Sequence, residues 1–112
     1  MYIGRFAPTP SGSLHLGSVC TALGAYLRAR SLNGKIILRI EDLDIPRCPP
    51  QAAEQILYDL NALGFHFDGE AIFQSQHLQR YQDVLAKRQS LLLRLHQTQL
   101  KRTSLQVLLK KT

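Results

Sequence analysis

Apolar residues first gather in Tyr2–Phe6, a short run that Ala7-Pro8-Thr9-Pro10 ends, because proline brings no N–H to a ladder. The pattern predicts a strand there, then a loop through Ser11-Gly12-Ser13. From Leu16 the apolar positions Val19, Ala22, Leu23, Tyr26 and Leu27 follow helical spacing, which predicts a helix closing near Leu32. Asn33-Gly34 comes next, and both residue types tolerate positive φ. Lys35–Ile40 is a β-branched run of buried-strand length. Pro50 suits the first turn of a helix bearing Ala53, Ile56, Leu57, Leu60 and Leu63, with Gly64 as its stop. Phe65–Phe73 predicts a loop or short strand around Asp68-Gly69. Ser75 is then expected to cap a third helix that uses Leu78, Tyr81 and Leu85.

Strand, helix and strand joined by short connections imply a right-handed βαβ unit and a parallel sheet. Parallel sheets are covered on both faces, so two strands and three helices read as part of a larger α/β fold. A length of 112 residues leaves room for one small domain. With 45% hydrophobic and 20% charged residues, the composition is that of a globular chain, not a disordered one. The longest uncharged apolar runs, Ile36–Leu38 and Leu91–Leu93, fall far short of the ~20 residues that cross a bilayer. No charged stretch leading into an apolar one opens the chain, so no signal peptide is expected. Cys20 and Cys48 are too few for a disulfide framework or a four-ligand zinc site, and Cys20 is expected to be a small core residue. These features predict a cytoplasmic monomer without a membrane partner.

The net charge of +6 is unevenly spread. Residues 1–86 carry seven basic and all eight acidic residues, whereas residues 87–112 carry seven basic residues and no acid. The later segment also lacks Gly, Pro and aromatics and holds eight leucines. Such a break predicts a folded part over 1–88 and a basic, leucine-rich helical tail over 89–112. The tail reads as an RNA-binding or membrane-surface helix, or as sequence unrelated in origin to the rest, such as a shifted reading frame.

The segment from Arg5 to Ser18 leaves the carboxyl end of the first strand and starts a helix, the usual ligand crevice of open α/β sheets. A helix N-terminus offers N–H groups and partial positive charge to phosphate. Gly12 and Gly17 let a nucleotide approach the backbone, and His15 can donate to a phosphate oxygen. The two glycines have Walker-type spacing, but Ser18 stands where the lysine is needed, and no Gly-x-Gly-x-x-Gly occurs. By residues alone the loop is as readily an ordinary turn. Arg5 suits a substrate carboxylate, or pairs with Glu41 or Asp42 across adjacent strand ends. Asp42 and Asp44 read as loop-shaping or capping residues, with Asp44 also weighed as a Mg²⁺ ligand. His66 and His77 are expected to be solvated.

His15-Leu16-Gly17-Ser18 resembles the His-Ile-Gly-His region of class I aminoacyl-tRNA synthetases, and Arg39-Ile40-Glu41-Asp42-Leu43-Asp44 resembles the acidic motif of their glutamyl branch. Tyr2-Ile3-Gly4-Arg5-Phe6-Ala7-Pro8, Pro10-Ser11-Gly12, Asp44-Ile45-Pro46-Arg47, and Asp68-Gly69 ahead of Gln74-Ser75-Gln76 are similar to the glutamyl-queuosine tRNA(Asp) synthetases. The likeness covers roughly residues 2–88. It implies the first part of a Rossmann-like class I nucleotide-binding fold, incomplete, with a helical C-terminal tail. It also implies activation of L-glutamate with ATP and Mg²⁺, then transfer of glutamate to the queuosine base of tRNA(Asp).

Carried over, Arg5, Phe6, Ala7, Pro8 and Thr9 would lie against glutamate, and Glu41 would hold its ammonium group. Pro8, Gly12, His15, Gly17 and Ser18 would sit against ATP, with His15, Gly17 and Ser18 as the catalytic group. Thr9 stands where serine is more usual. Ser18 replaces the second histidine of the class, as the subfamily does. The zinc-binding insertion and the Lys-Met-Ser-Lys-Ser loop of the family do not occur in these residues. The expectation is therefore an N-terminal fragment, weakly active or inactive alone. The alternatives are a glutamyl-tRNA synthetase fragment or a non-catalytic RNA-binding remnant.

Overall fold

The computed structural model describes the backbone of residues 1–109 and the side chains of residues 1–101; Lys110 and Lys111 of the basic tail lie outside the described residues. Strand β2 (Lys35–Ile40) is the middle of a three-stranded, all-parallel sheet between β1 (Ile3–Phe6) and β3 (Ile72–Phe73). Ile3 lies opposite Lys35 and Phe6 opposite Leu38, while Arg39 lies opposite Ile72. Helix α1 (Leu16–Ser31) crosses from β1 to β2, and α2 (Pro50–Ala62) leads from β2 towards β3. This is the parallel α/β arrangement that the chain pattern predicts. The Phe65–Phe73 segment contributes only two strand residues.

Alternation along the strands gives the sheet two unlike faces. Ile36, Leu38 and Ile40 of β2 and Phe6 of β1 are buried, and the core joins Phe6, Leu38 and Ile40 to Ala22, Ile56, Leu60 and Phe65. Fully burying a side chain of this size contributes about 1.5–3 kcal/mol, so this small cluster supplies most of the apolar driving force. On the other face sit Ile3 and Arg5 of β1, Ile37 and Arg39 of β2, and Ile72 of β3. Ile3 stays 56% exposed and Ile72 37%. Sequential strand order with right-handed crossovers puts α1 and α2 on one side, so neither helix reaches this second face.

Of the apolar stripe expected on α1, Val19, Ala22 and Tyr26 meet the core, but Leu23 and Leu27 do not. Ala22 and Ala29 are buried, with Val19 and Tyr26 partly so, while Leu16, Leu23 and Leu27 are exposed. Close approach to the strands selects small residues: a Cβ on Gly4 would sit 3.4 Å from the Ala29 Cβ. Cys20, two residues from Ala22 and hence about 200° around the helix, is exposed and not part of the core. In α2 the buried residues are Ala52, Ile56 and Leu60, with Leu63 at the exposed end, and Gly64 follows at φ +85.

Two junctions set the register. Asn33 turns the chain with φ 49, and the Lys35 N–H donates to Tyr2 O at 2.9 Å. A Cβ on Gly34 would lie 2.4 Å from that same carbonyl oxygen. Only glycine lets β2 start this close to β1. The second junction is Asp68, whose Oδ2 accepts the Ile36 N–H at 2.7 Å and pairs with Arg30 Nη1 at 2.9 Å. Its own N–H donates to Ile36 O at 2.8 Å. The Arg30 guanidinium lies 5.0 Å from the Tyr26 ring centroid, and Tyr26 meets Phe65 edge to face. The Ile36 N–H above all, then Arg30, hold the Asp68 carboxyl below its ordinary 3.8 although partial desolvation opposes them.

Ser75 does not cap a third helix. In a 3₁₀ turn over Gln74–His77, its N–H and Oγ donate to the Asp42 carboxylate at 2.8 and 2.6 Å. Asp42 thereby ties the exit of β2 to the exit of β3. Partial desolvation raises the Asp42 pKa, but the two bonds from Ser75 outweigh it and the carboxyl stays below its ordinary value. Residues 77–112 form a separate unit built on α3 (Leu78–Leu109). No helix among the described residues is long and apolar enough to cross a membrane.

Gly34→Ala is expected to lower stability by about 1–3 kcal/mol, the usual cost of forcing extra volume into a packed site, read as a shifted denaturant midpoint. A carboxyl with a depressed folded pKa adds stability above its unfolded value, and that stability is lost as pH falls through the folded pKa. The chain therefore loses stability below about pH 4. Asp68→Asn should show a shallower acid decline in urea titrations at stepped pH, whereas an unchanged decline would remove Asp68 as its source.

Candidate active site

The loop between β1 and α1 is held at both ends. Near its start, the Glu41 N–H donates to Pro8 O at 3.0 Å, carrying the β1–β2 pairing one step beyond the strands. Pro10 is fully buried, and the Ser11 N–H donates to Thr9 O at 2.9 Å. At the far end His15 is the N-cap of α1, in extended conformation (φ −102, ψ 167). Its Nδ1 accepts the Ser18 N–H at 3.3 Å, and its Nε2 lies 3.1 Å from Ser18 Oγ. An accepting Nδ1 carries no proton, so the neutral ring has its proton on Nε2 and donates to Ser18 Oγ.

Gly17 makes this cap fit. A Cβ there would come within 3.0 Å of the His15 ring, so the missing side chain accommodates imidazole. Gly12 is different: nothing lies within 4 Å of a Cβ built on it, and it faces open space. The N–H groups of Leu16 and Gly17 precede the first intrahelical bonds and keep no acceptor among the described residues. The start of α1 thus presents two free donors beside an exposed imidazole, an arrangement suited to an anion.

A cleft of about 270 Å³ opens here, lined by Phe6, Ala7, Pro8, Thr9, the Ser11–His15 turn, Ser18, Thr21 and Ile56. Of the residues expected near ATP, Pro8, Gly12, His15 and Ser18 share this cleft, and Gly17 backs the His15 ring. Of those expected near glutamate, Phe6 to Thr9 line it, while Arg5 and Glu41 do not. Arg5 stands on the sheet face opposite α1 and α2, exposed and without an ion pair among the described residues. The alternative pairing of Arg5 with Glu41 or Asp42 does not form: Glu41 Oε1 lies 3.9 Å from Arg39 Nε, and Asp42 takes Ser75. Thr21 and Ile56 were not among the expected site residues. Thr21 follows Ser18 by three positions on α1, so helical spacing alone points to it, whereas Ile56 arrives from a separate helix.

The other candidate groups are accounted for elsewhere. Asp44 Oδ2 pairs with Arg47 Nε at 2.9 Å. His66 is exposed and His77 half-buried. Among the described residues no three His, Cys, Asp or Glu side chains cluster as metal ligands. A second cleft of about 280 Å³, bordered by Leu38, Leu57, Leu60, Phe65 and Phe67, is an opening into the apolar core.

The chain is similar to known proteins in sequence and in fold. The chain is 58% identical over 87 residues to a glutamyl-Q tRNA(Asp) synthetase of Shewanella amazonensis, covering 75% of this chain and 30% of the relative. It is 55% identical over 85 residues to the enzyme of the same name from Cronobacter sakazakii, covering 76% and 28%. The chain thus spans less than a third of the length of these relatives. A solved glutamate tRNA ligase from Elizabethkingia meningosepticum, in complex with its amino acid, superposes with a TM-score of 0.66 at 38% identity. That match covers 76% of this chain and 19% of the ligase. Residues 3–96 match the family model described as tRNA synthetases class I (E and Q), catalytic domain. The parallel sheet, the capped helix after β1 and this match over most of the chain agree, and the chain belongs to the class I glutamyl and glutaminyl tRNA synthetase family.

Proposed function

We propose that this chain supplies part of the glutamate-activating site of a glutamyl-Q tRNA(Asp) synthetase. The observation that carries the reading is the open cleft at the end of β1, where the His15-capped start of α1 meets the Gly12 turn. Identities of 52–58% to enzymes named glutamyl-Q tRNA(Asp) synthetase, against 38% to the solved glutamate tRNA ligases, favour the queuosine branch.

In the proposed reaction a carboxylate oxygen of glutamate attacks the α-phosphorus of ATP, an acyl–phosphate anhydride forms, and pyrophosphate leaves. A hydroxyl of the queuosine base of tRNA(Asp) then attacks the acyl carbon of that anhydride, an ester forms, and AMP leaves. Free N–H groups of Leu16 and Gly17 would face phosphate oxygens, stabilising charge as it develops, and the Nε2–H of His15 would join them by exchanging Ser18 Oγ for phosphate. Arg5 would hold a glutamate carboxylate through a charge-assisted pair. Glu41 would hold the ammonium group, once released from its loose contact with Arg39. With no cluster of three ligands among the described residues, Mg²⁺ would come bound to the ATP phosphates, as that ion commonly does.

A cleft of about 270 Å³ lies just below the ~300–1,000 Å³ usual for small-molecule sites. These residues therefore form one wall of the site, and residues 1–112 contain no Lys-Met-Ser-Lys-Ser loop to face it. Binding without turnover is the expected behaviour of the chain alone. Glutamate-dependent ATP–pyrophosphate exchange should stay at background, and appreciable exchange would contradict this division of labour.

Titration of ¹⁵N-labelled chain with ATP tests the cleft itself. Amide shifts should concentrate at Gly12, His15, Gly17 and Ser18. His15→Ala should weaken them roughly tenfold, the loss expected for a hydrogen bond to a charged group. Shifts at Phe67, Gly69 and Ala71 instead would place the nucleotide in the second cleft and overturn the reading.

A further inference from the structure

Helix α3 carries two rows that the proposed reaction does not use. Arg80, Lys87, Arg94 and Lys101 recur every seventh residue, all exposed, and form a basic row along one side. Such a repeat drifts by only ~20° per heptad on a straight helix. Roughly opposite lie Leu78, Tyr81, Leu85, Leu92 and Leu95, at alternating intervals of three and four once Arg88 is counted in the row. Leu85 and Leu92 are 58% exposed and Leu95 57%, with Leu91 beside them at 58%. Asp83 is the sole acid between residues 77 and 112.

Three occupants fit this helix unequally. A nucleic acid would neutralise the basic row but leave the leucines in water. A second copy would cover the leucines, yet it would seat Arg88 in the seam of a helix that offers no acid after Asp83 to answer it. An anionic lipid surface accommodates both rows. Leucines sink into the boundary of the acyl chains, Lys and Arg meet the headgroups, and the long stem of Arg88 carries its guanidinium outward. We infer that α3 is an interfacial helix that lies along an anionic bilayer surface, its leucine row inward and its basic row against the headgroups. This inference is independent of the synthetase site, since it uses only residues of the second unit.

Flotation of the full chain with lipid vesicles tests it. Binding to vesicles of phosphatidylglycerol mixed with phosphatidylcholine should exceed binding to pure phosphatidylcholine by about tenfold or more, given the usual attraction per basic residue near an anionic surface. Lys87→Gln with Arg94→Gln should weaken that binding about thirtyfold. Leu92→Gln with Leu95→Gln should abolish it at moderate salt, while circular dichroism keeps its helical signal and the first unit melts unchanged. Absence of flotation with phosphatidylglycerol would overturn the inference. So would full binding by the leucine variant, which would mean charge alone, or a leucine-dependent dimer in sedimentation without vesicle binding. Transfer RNA binding that needs Lys87 and Arg94, with no vesicle binding, would also overturn it.

Discussion

The parallel pairing of β1 with β2 is the constraint on which the rest hangs. It brings the carboxyl ends of both strands to one edge, so the loop after Phe6 and the acidic segment after Ile40 emerge side by side. The pairing continues past the strands through the Glu41 N–H and Pro8 O. At the opposite edge, Gly34 lets β2 begin against Tyr2, and Asp68 fastens the start of β2 to Arg30 and to the segment after α2. A shift of one residue would turn Ile36, Leu38 and Ile40 out of the core and carry the loop away from the strand end.

Charged groups divide between fastening and chemistry. Arg30 with Asp68, and Asp42 with Ser75, hold strands together and have their ionised forms stabilised by those contacts. Arg5 stands apart on the face that α1 and α2 leave uncovered. An unpaired guanidinium on a strand end contributes little to folding, since even paired surface charges contribute about 0–1 kcal/mol. Its placement suits recognition of a carboxylate. His15 links the two classes, because the imidazole that caps α1 also borders the cleft.

Much of this was legible in the residues, and the misses have physical causes. Lys35–Ile40 stands out as a strand because three of its six residues are isoleucine, and its bounds match. On α1 the spacing gave Val19, Ala22 and Tyr26 correctly, but Leu23 and Leu27 fit the same helical pattern and stay exposed, while Ala29, packed beside Gly4, carries too weak an apolar signal to stand out. Ser75 looked like a helix cap because its true partner, Asp42, lies 33 residues away in the chain. A separation of 32 residues likewise hides Asp68 beside Ile36. In the candidate site, the local pieces from Pro8 to Ser18 could be read in order. Glu41, from another strand, lies outside the cleft that those pieces line, and adjacency in sequence gave no sign of that.

The amide hydrogen of Glu41 reports on the central constraint most directly. If the β1–β2 pairing extends beyond Ile40 to hold the loop, that amide exchanges slowly with solvent, as the β2 amides do. Exchange at the rate of an open loop residue, with β2 still protected, would mean that the loop carrying His15 is not anchored to the strand end.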